Sequence, residues 1–598
     1  MDLFKITGPD FLNHKSNDEL IDLSDEIRNF LIKSISKTGG HLASNLGIIE
    51  LTVALHKVFE SPIDKIIFDV GHQCYTHKIL TGRASQFSTL RQFNGISGFP
   101  KRNESPHDVF ETGHSSTSIS AAVGFVEARR QDEANHEVIA VIGDGAMTGG
   151  LAFEAIHHFG QSDEKVIIIL NDNEMSISNN VGALSKILKG IRINKQYIYT
   201  KNIVPRFIKN ILSNSVSTVR YFFEGSNIFE SLGYKYYGPV DGHNINDLIK
   251  HFEIAKNCNK SVIIHVRTEK GKGYEPAQNN KVKWHGVGNY TVETGEFSAK
   301  GNLTWSRVIA NAVNEIDDVT VITPAMISGS NLEVFKEKIL IDVGIAEGHA
   351  ATMSAGLAIN NKKVFLPLYS TFAQRAYDNI LHDIDRQNLN VVLGIDRSGI
   401  IPSDGDTHQG IFDISMFNAM PNMQIVMPKD SNEAKMLVKY AFDINKGPIA
   451  IRYPKGKVSE MESTGKITKP GWKKELSEKN NATINIITYG PDVDRFNSLI
   501  KQNKIKANLY NARFIKPLDH NMIDEILQSN IPTLIYENVV ESGSLGQSVV
   551  SYMSSKSQNF QVKMMNIKTI PDHGDVDSLL KQHNLDDESI ISTIKELI

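Results

Sequence analysis

The sequence predicts an α/β protein with mainly parallel sheets flanked by helices. Short β-branched runs alternate with helical stretches along the chain. Each clear run ends in turn or polar residues, the place where open α/β sheets bind ligands. One strand–helix–strand pattern also occurs twice, each time after a Gly-His pair.

In chain order, the clearest strands are Val138–Ile142, Val166–Leu170, Ser261–Val266, Val319–Ile322, Val391–Ile395 and Thr483–Thr488. Residues 176–230 are helical in pattern and basic in character, without a strong motif. Two polar stretches, Gly286–Asn302 and Glu460–Asn481, read as linkers. They divide the chain into domains at 1–300, 301–468 and 469–598, sizes ordinary for domains.

Composition excludes several classes. The 598 residues carry 64 Lys+Arg against 68 Asp+Glu, too balanced for a nucleic-acid binder that relies on a basic surface. A hydrophobic content of 40% fills several cores and argues against disorder. Two cysteines, Cys74 and Cys258, exclude a disulfide framework and point to a reducing compartment. No apolar run approaches the ~18 residues of a membrane span, and the first 20 residues lack a signal-peptide pattern. The expectation is a cytoplasmic enzyme. There is no G-x-x-x-x-G-K-[ST] phosphate loop and no H-E-x-x-H zinc pair.

The repeated pattern carries the domain argument. GHSSTSISAAVG (Gly113–Gly124) resembles GHAATMSAGLA (Gly348–Ala358), and each precedes a strand, a helix and a second strand. The first two domains are therefore expected to be copies of one unit.

The chemistry sits in the first copy. VIAVI runs into Gly143-Asp144-Gly145, and VIIIL runs into Asn171-Asp172-Asn173. Glycines at a strand end allow close backbone approach to phosphate, but the Asp144 carboxylate would repel a bare pyrophosphate. A divalent cation removes the conflict, because Asp144 and Asn173 are hard oxygen ligands suited to Mg²⁺. One strand–helix–strand unit separates them, so both can occupy adjacent strand ends.

This GDG…NDN pattern resembles the signature of thiamine diphosphate enzymes. The resemblance implies that Asp144, Asn173 and the carbonyl of Met175 hold Mg²⁺ against the cofactor diphosphate. It also implies that Glu347, in AEGHA, hydrogen-bonds the aminopyrimidine ring and promotes the tautomer that activates the thiazolium carbon. Further motifs narrow the match: GGHLASNLG (Gly39–Gly47), DVGHQCYTHKILTGR (Asp69–Arg83), GPVDGH (Gly238–His243), KGKGYEPA (Lys270–Ala277), YSTFAQRAYD (Tyr369–Asp378), DGDTHQGIFD (Asp404–Asp413) and RYPKG (Arg452–Gly456). Over nearly its whole length the chain is similar to the 1-deoxy-D-xylulose-5-phosphate synthase family. That resemblance implies a transketolase-like homodimer with its site between the first two domains of one chain. The enzyme would join pyruvate to D-glyceraldehyde 3-phosphate with loss of CO₂, supplying isoprenoid, thiamine and pyridoxal synthesis. It would act on no nucleic acid and at no membrane.

The same resemblance assigns the remaining residues. His41 and His285 line the carbon chemistry, where a group titrating near neutrality suits proton transfer. His72, His114, Gly113, Ser115, Gly145, Ala146 and Tyr274 contact the cofactor. Asp404 and His408 contact the pyruvate-derived adduct or the aldehyde. Arg397 and Arg452 bind the aldehyde phosphate through paired hydrogen bonds, with Tyr369 and Arg375 in the same pocket and Arg91 as a further anion contact. His77, His157 and His158 are ordinary structural or surface histidines, and Cys74 a small buried thiol.

Some positions depart from the family pattern. Gly348 stands where Gln commonly follows the glutamate, and Ile401-Pro402-Ser403 precedes Asp404 where Gly-Ala is commoner. Pro402 is expected to alter the loop holding Asp404 and His408. The segments ESGSLGQ and IPDHGDVDSLL are abbreviated, and are expected to lie away from the chemistry, in the third domain or its dimer contacts. A transketolase with another donor and a catalytically silent regulatory paralogue are the competing readings.

Overall fold

The computed structural model describes residues 2–173, 181–183, 228–297, 303–461, 465–478, 481–556 and 559–598. Met175 and most of the 176–230 stretch lie outside the described residues. The chain forms two compact units, one of Met1–Leu90 with Gly95–Ala299, the other of Lys300–Ile598 with Arg91–Asn94.

The first unit holds five strands: β1 (Lys65–Phe68), β2 (Val138–Gly143), β3 (Ile167–Asp172), β4 (Lys235–Asp241) and β5 (Val262–Arg267). Their order is β1-β2-β3-β5-β4, and every pair is parallel. Helices cover both faces, which is why β2 and β3 are continuously apolar instead of alternating. Val138, Ala140 and Ile142 pack with helices Ser118–Gln131 and Gly150–Phe159. Ile139 and Val141 face the other way, onto helices Ile49–Val58 and Ile245–Lys256. Each of these Val and Ile side chains contributes about 1.5–3 kcal/mol on burial.

The second unit contains two sheets. The first is built from β6 (Val319–Thr323), β7 (Ile339–Asp342), β8 (Lys363–Tyr369), β9 (Val391–Asp396), β10 (Gln424–Val426) and β11 (Ile449–Arg452). Further along lie β12 (Lys473–Leu476), β13 (Ile484–Thr488), β14 (Ala507–Asn511), β15 (Phe514–Lys516), β16 (Thr533–Val540) and β17 (Val562–Ile567). The orders are β15-β10-β11-β9-β8-β6-β7 and β12-β14-β13-β16-β17, antiparallel only where β15 meets β10 and β12 meets β14.

The run β6-β8-β9-β11-β10 repeats the order β1-β2-β3-β5-β4, strand for strand. The repeated Gly-His segments lie at the starts of equivalent helices: Ser118–Gln131 leads to β2 and Glu347–Ile359 leads to β8. The first two sheets are thus copies of one topology. The second copy adds β7 at one edge and, at the other, β15 from the third stretch of sequence. Among the described residues no helix is long and apolar enough to cross a membrane.

Candidate active site

In the first unit, β2 and β3 end level with each other. Gly143 is in register with Asn171, and the Asp144 N–H donates to the Asn171 carbonyl at 3.1 Å. Asp144 and Asn173 therefore follow adjacent strand ends, and the Asp144 side chain is buried. The space over Gly143 is open, since a Cβ there would meet no atom within 4 Å. Among the described residues no three or more His, Cys, Asp or Glu cluster to hold a metal by themselves. An amide, a carboxylate and open space suit Mg²⁺ whose shell is completed by the oxygens of a bound phosphate.

The neighbouring backbone is tied to these strand ends. The Asp69 carboxylate, just beyond β1, accepts the N–H groups of Ser116 and Ser118 at 2.7 and 3.0 Å. The Ser116 hydroxyl donates to the Ala146 carbonyl at 2.7 Å. Segments Gly113–Ser115 and Gly145–Ala146 are thereby held together. Sequence reasoning missed Asp69, although its place at the end of a strand was a usable signal.

Lys270, four residues before Tyr274 in KGKGYEPA, is a further buried cation beside these strand ends. Its ammonium is almost wholly buried, and burial pushes its pKa down to about 8 against the opposing pull of Asp144. A second bracket holds its loop. His243, from GPVDGH, lies 3.0 Å from Glu50 through Nδ1 and accepts the Glu269 N–H through Nε2 at 2.8 Å. Glu50 is paired in turn with Arg28, whose Nε donates to the Lys272 carbonyl at 3.1 Å. Tyr274 packs edge-on against Trp284, and its hydroxyl donates to the Val292 carbonyl at 2.9 Å. A cofactor contact from Tyr274 thus falls to its ring or backbone.

Three of the five expected histidines converge. The rings of His41 and His72 are 5.2 Å apart, His72 and His285 5.1 Å, and His41 and His285 5.6 Å. Burial, reinforced by Lys270 and the other two rings, holds the His285 pKa well below its ordinary value. Asn45 positions the group, its amide donating to the carbonyls of His41 and His72 at 2.6 and 2.8 Å. Its Oδ1 accepts the Tyr75 N–H at 2.9 Å. Asn45→Ala should cost about 1–3 kcal/mol by removing three hydrogen bonds, two to part-buried carbonyls and one from the buried Tyr75 N–H. Asn45→Asp should cost more, because it turns a carboxylate toward two carbonyl oxygens. Denaturant unfolding checks the order, and an Asp variant as stable as the parent would refute it.

His77, read as structural, accordingly lies in a buried ion network. It contacts Asp108 at 2.9 Å and His56 at 2.9 Å, and Arg83 closes on Asp108 with two bonds of 2.7 Å. Cys74 is buried, and burial pushes its thiol up to about 12, which makes it inert.

In the second unit, Glu347 opens helix Glu347–Ile359 with 6% of its surface exposed. Burial raises its pKa, with Arg375 pulling the other way. A side chain at Gly348 would come within 2.7 Å of Asn379 Oδ1, so Asn379 fills the space a larger residue would need. At the ends of β8 and β9, the Arg397 guanidinium lies 4.0 Å over the Tyr369 ring and is paired with Asp396 at 2.8 Å. Tyr369 stacks on Phe372, which meets the His408 ring edge-on at 5.7 Å. Burial lowers the His408 pKa. Asp404 is gripped by Arg91 at 2.5 Å and Lys455 at 2.9 Å.

Arg452 is held apart from this group by its pairing. It is fully buried and bidentate to Asp413 at 2.7 and 3.0 Å, with its remaining nitrogen on Met427 Sδ at 3.2 Å. A phosphate contact would require that pair to open. One expectation is corrected: the abbreviated IPDHGDVDSLL segment does not lie away from the candidate chemistry. Its backbone bonds to the Asp404 loop, with the Ser403 N–H donating to the Gly574 carbonyl at 2.8 Å. The long sequence separation concealed this contact.

Comparison with known families now gives the class. The family model described as 1-deoxy-D-xylulose-5-phosphate synthase matches residues 3–268. The transketolase pyrimidine-binding and C-terminal domain models match 303–460 and 474–590. The fold is therefore transketolase-like, and the chain is a transferase of that type. Relatives named 1-deoxy-D-xylulose-5-phosphate synthase run its full length. One from a Geobacillus species is 45% identical, covering 100% of this chain and 99% of its own. One from Macrococcus caseolyticus is 46% identical with the same coverage, and one from Listeria welshimeri is 45% identical, covering 100% and 98%. The chain belongs to the 1-deoxy-D-xylulose-5-phosphate synthase family, whose members depend on thiamine diphosphate and Mg²⁺.

Proposed function

We propose that this chain condenses pyruvate with D-glyceraldehyde 3-phosphate, releasing CO₂ and forming 1-deoxy-D-xylulose 5-phosphate. The observation that supports this best is the pair Asp144 and Asn173 on level, adjacent strand ends, beside buried Lys270, in a chain with full-length relatives of that name. When bound, thiamine diphosphate supplies the carbon nucleophile and electron sink for decarboxylation and carbon–carbon bond formation.

The chain's own residues divide the remaining work. Asp144, Asn173 and the Met175 carbonyl would hold Mg²⁺, and Lys270 would offset diphosphate charge. Gly113, His114, Ser115, Gly145 and Ala146 present backbone to the cofactor, with His72 and Tyr274 beside it. The Glu347 carboxyl, biased by burial toward its protonated form, shares a proton with the aminopyrimidine ring nitrogen. His41 and His285 move protons at the reacting carbons, because burial keeps His285 neutral and able to accept one. Arg397 on the face of Tyr369 takes the aldehyde phosphate, assisted by Arg375. Arg452 joins it when its pair with Asp413 opens. Asp404 and His408, with Arg91, orient the substrate groups.

The three segments 1–300, 301–468 and 469–598 act as domains of a cytoplasmic homodimer. The product serves isoprenoid, thiamine and pyridoxal synthesis. The test is CO₂ release from pyruvate with and without glyceraldehyde 3-phosphate. Release coupled to deoxyxylulose phosphate formation is expected. Ketol transfer from a sugar phosphate with no CO₂ would overturn the proposal.

A further inference from the structure

The loop after β9 carries Asp404 and His408 with almost no regular structure of its own. Arg397, Gly399, Ser403 and Gly405 have φ of 55°, 85°, 70° and 80°, and only Asp406–His408 forms a helical turn. Gly399 and Gly410 close its base by exchanging hydrogen bonds of 2.6 and 2.9 Å. A loop of this shape needs other groups to fix it, because no strand ladder holds its carbonyls and N–H groups.

Those groups converge on Gln409, whose side chain is buried. Its Oε1 accepts the Ile401 N–H at 2.8 Å. Its amide reaches the carbonyls of Ile401, Gly405 and Asp572 at 3.2, 3.3 and 3.2 Å. Asp572 follows β17, and the same segment accepts the Ser403 N–H through Gly574. The Asp572 carboxylate is secured in turn by Gln582 at 3.0 Å, and a Cβ on Gly574 would meet Phe93 at 3.1 Å.

We propose that Gln409 is a positioning residue which, braced by the Asp572–Gly574 backbone, sets Asp404 and His408 for the phosphorylated aldehyde. The C-terminal segment thus becomes a specificity element of the site. This rests on the proposed role of Asp404 and His408 in handling substrate. Gln409's side-chain hydrogen bonds run to Ile401 and Gly405 within the loop and to Asp572, so its loss should fall first on the loop and on the segment that braces it.

Steady-state kinetics with thiamine diphosphate and Mg²⁺ present provides the test. Gln409→Ala should raise KM for glyceraldehyde 3-phosphate about tenfold, the size expected from stranding a buried N–H and its carbonyl partners. KM for pyruvate and cofactor affinity by intrinsic fluorescence should change less than about twofold. Gln409→Glu keeps the acceptor for Ile401 but sets a carboxylate against three carbonyls, so it should not rescue. Hydrogen exchange should rise together in peptides covering 398–410 and 570–576. If Gln409→Ala fails to fold, Gly574→Ala, whose added Cβ meets Phe93 first, should show the same KM split in weaker form. An unchanged aldehyde KM, or an equal loss in every constant, overturns the proposal. Asp404→Asn and His408→Ala separate the two layers. Should both leave aldehyde kinetics untouched, the loop's substrate role fails. Should both impair it while Gln409 and Gly574 variants do not, only the brace fails.

Discussion

Glu347→Gln should lower turnover by about 10²–10⁴-fold, the range for removing a positioned proton-transfer group. The substitution preserves size and a hydrogen-bonding end at the start of helix Glu347–Ile359 but removes the exchangeable carboxyl proton. Burial raises the pKa of this carboxyl, and Arg375 only partly opposes the shift. An acid biased toward its neutral form is suited to sharing a proton with a ring nitrogen. Cofactor binding by fluorescence should persist, because Asp144, Asn173 and Lys270 are unchanged. CO₂ release from pyruvate is the measurement. Turnover equal to the parent would remove Glu347 from the chemistry.

The second large effect is on stability. Asp413→Ala should destabilise the second unit by about 3–5 kcal/mol, because it strands the fully buried Arg452 guanidinium. The Ser398 hydroxyl, 3.0 Å from Asp413, keeps only its other acceptor, the Ile395 carbonyl, also at 3.0 Å. Combining Asp413→Leu with Arg452→Met should recover most of the loss, since a packed apolar pair avoids the uncompensated charge. Urea unfolding followed at the earliest transition reads the difference. If Asp413→Ala proves as stable as the parent, the pair is not closed in solution and Arg452 is free to meet substrate phosphate. Aldehyde KM in the Arg452→Met variant then measures that contact.

The central strands were legible because each is covered on both faces, which makes VIAVI and VIIIL unbroken apolar runs. Asp144 and Asn173 were legible because chemistry at a strand end leaves polar residues at a fixed place after such a run. The duplication showed in the Gly-His segments because equivalent helices start there. Edge strands carried less signal. β7 has an exposed Ile339 and no fully buried residue, while β15 is three residues long and pairs with a strand far earlier in the chain. Positioning side chains were the least visible. Asn45, Asp69 and Gln409 act through backbone groups brought near by folding, and Gln409 reaches a carbonyl 163 positions away. Asp69's place at a strand end is a local signal, but nothing in local composition marks Asn45 or Gln409.

Arg91–Asn94 belong to the second unit although the rest of that unit begins at Lys300. On the ribosome this places Arg91, one of Asp404's counter-charges, far ahead of Asp404 itself. At ~5–20 residues per second, synthesis of the roughly 200 residues between Asn94 and Lys300 takes about 10–40 s. The N-terminal half is therefore complete before Asp404, the ion-pair partner of Arg91, emerges. A gene for residues 300–598 alone would make a product in which Asp404 keeps Lys455 but lacks Arg91. The Arg91–Asp404 ion pair of the second unit can therefore close only after the whole first unit has been made.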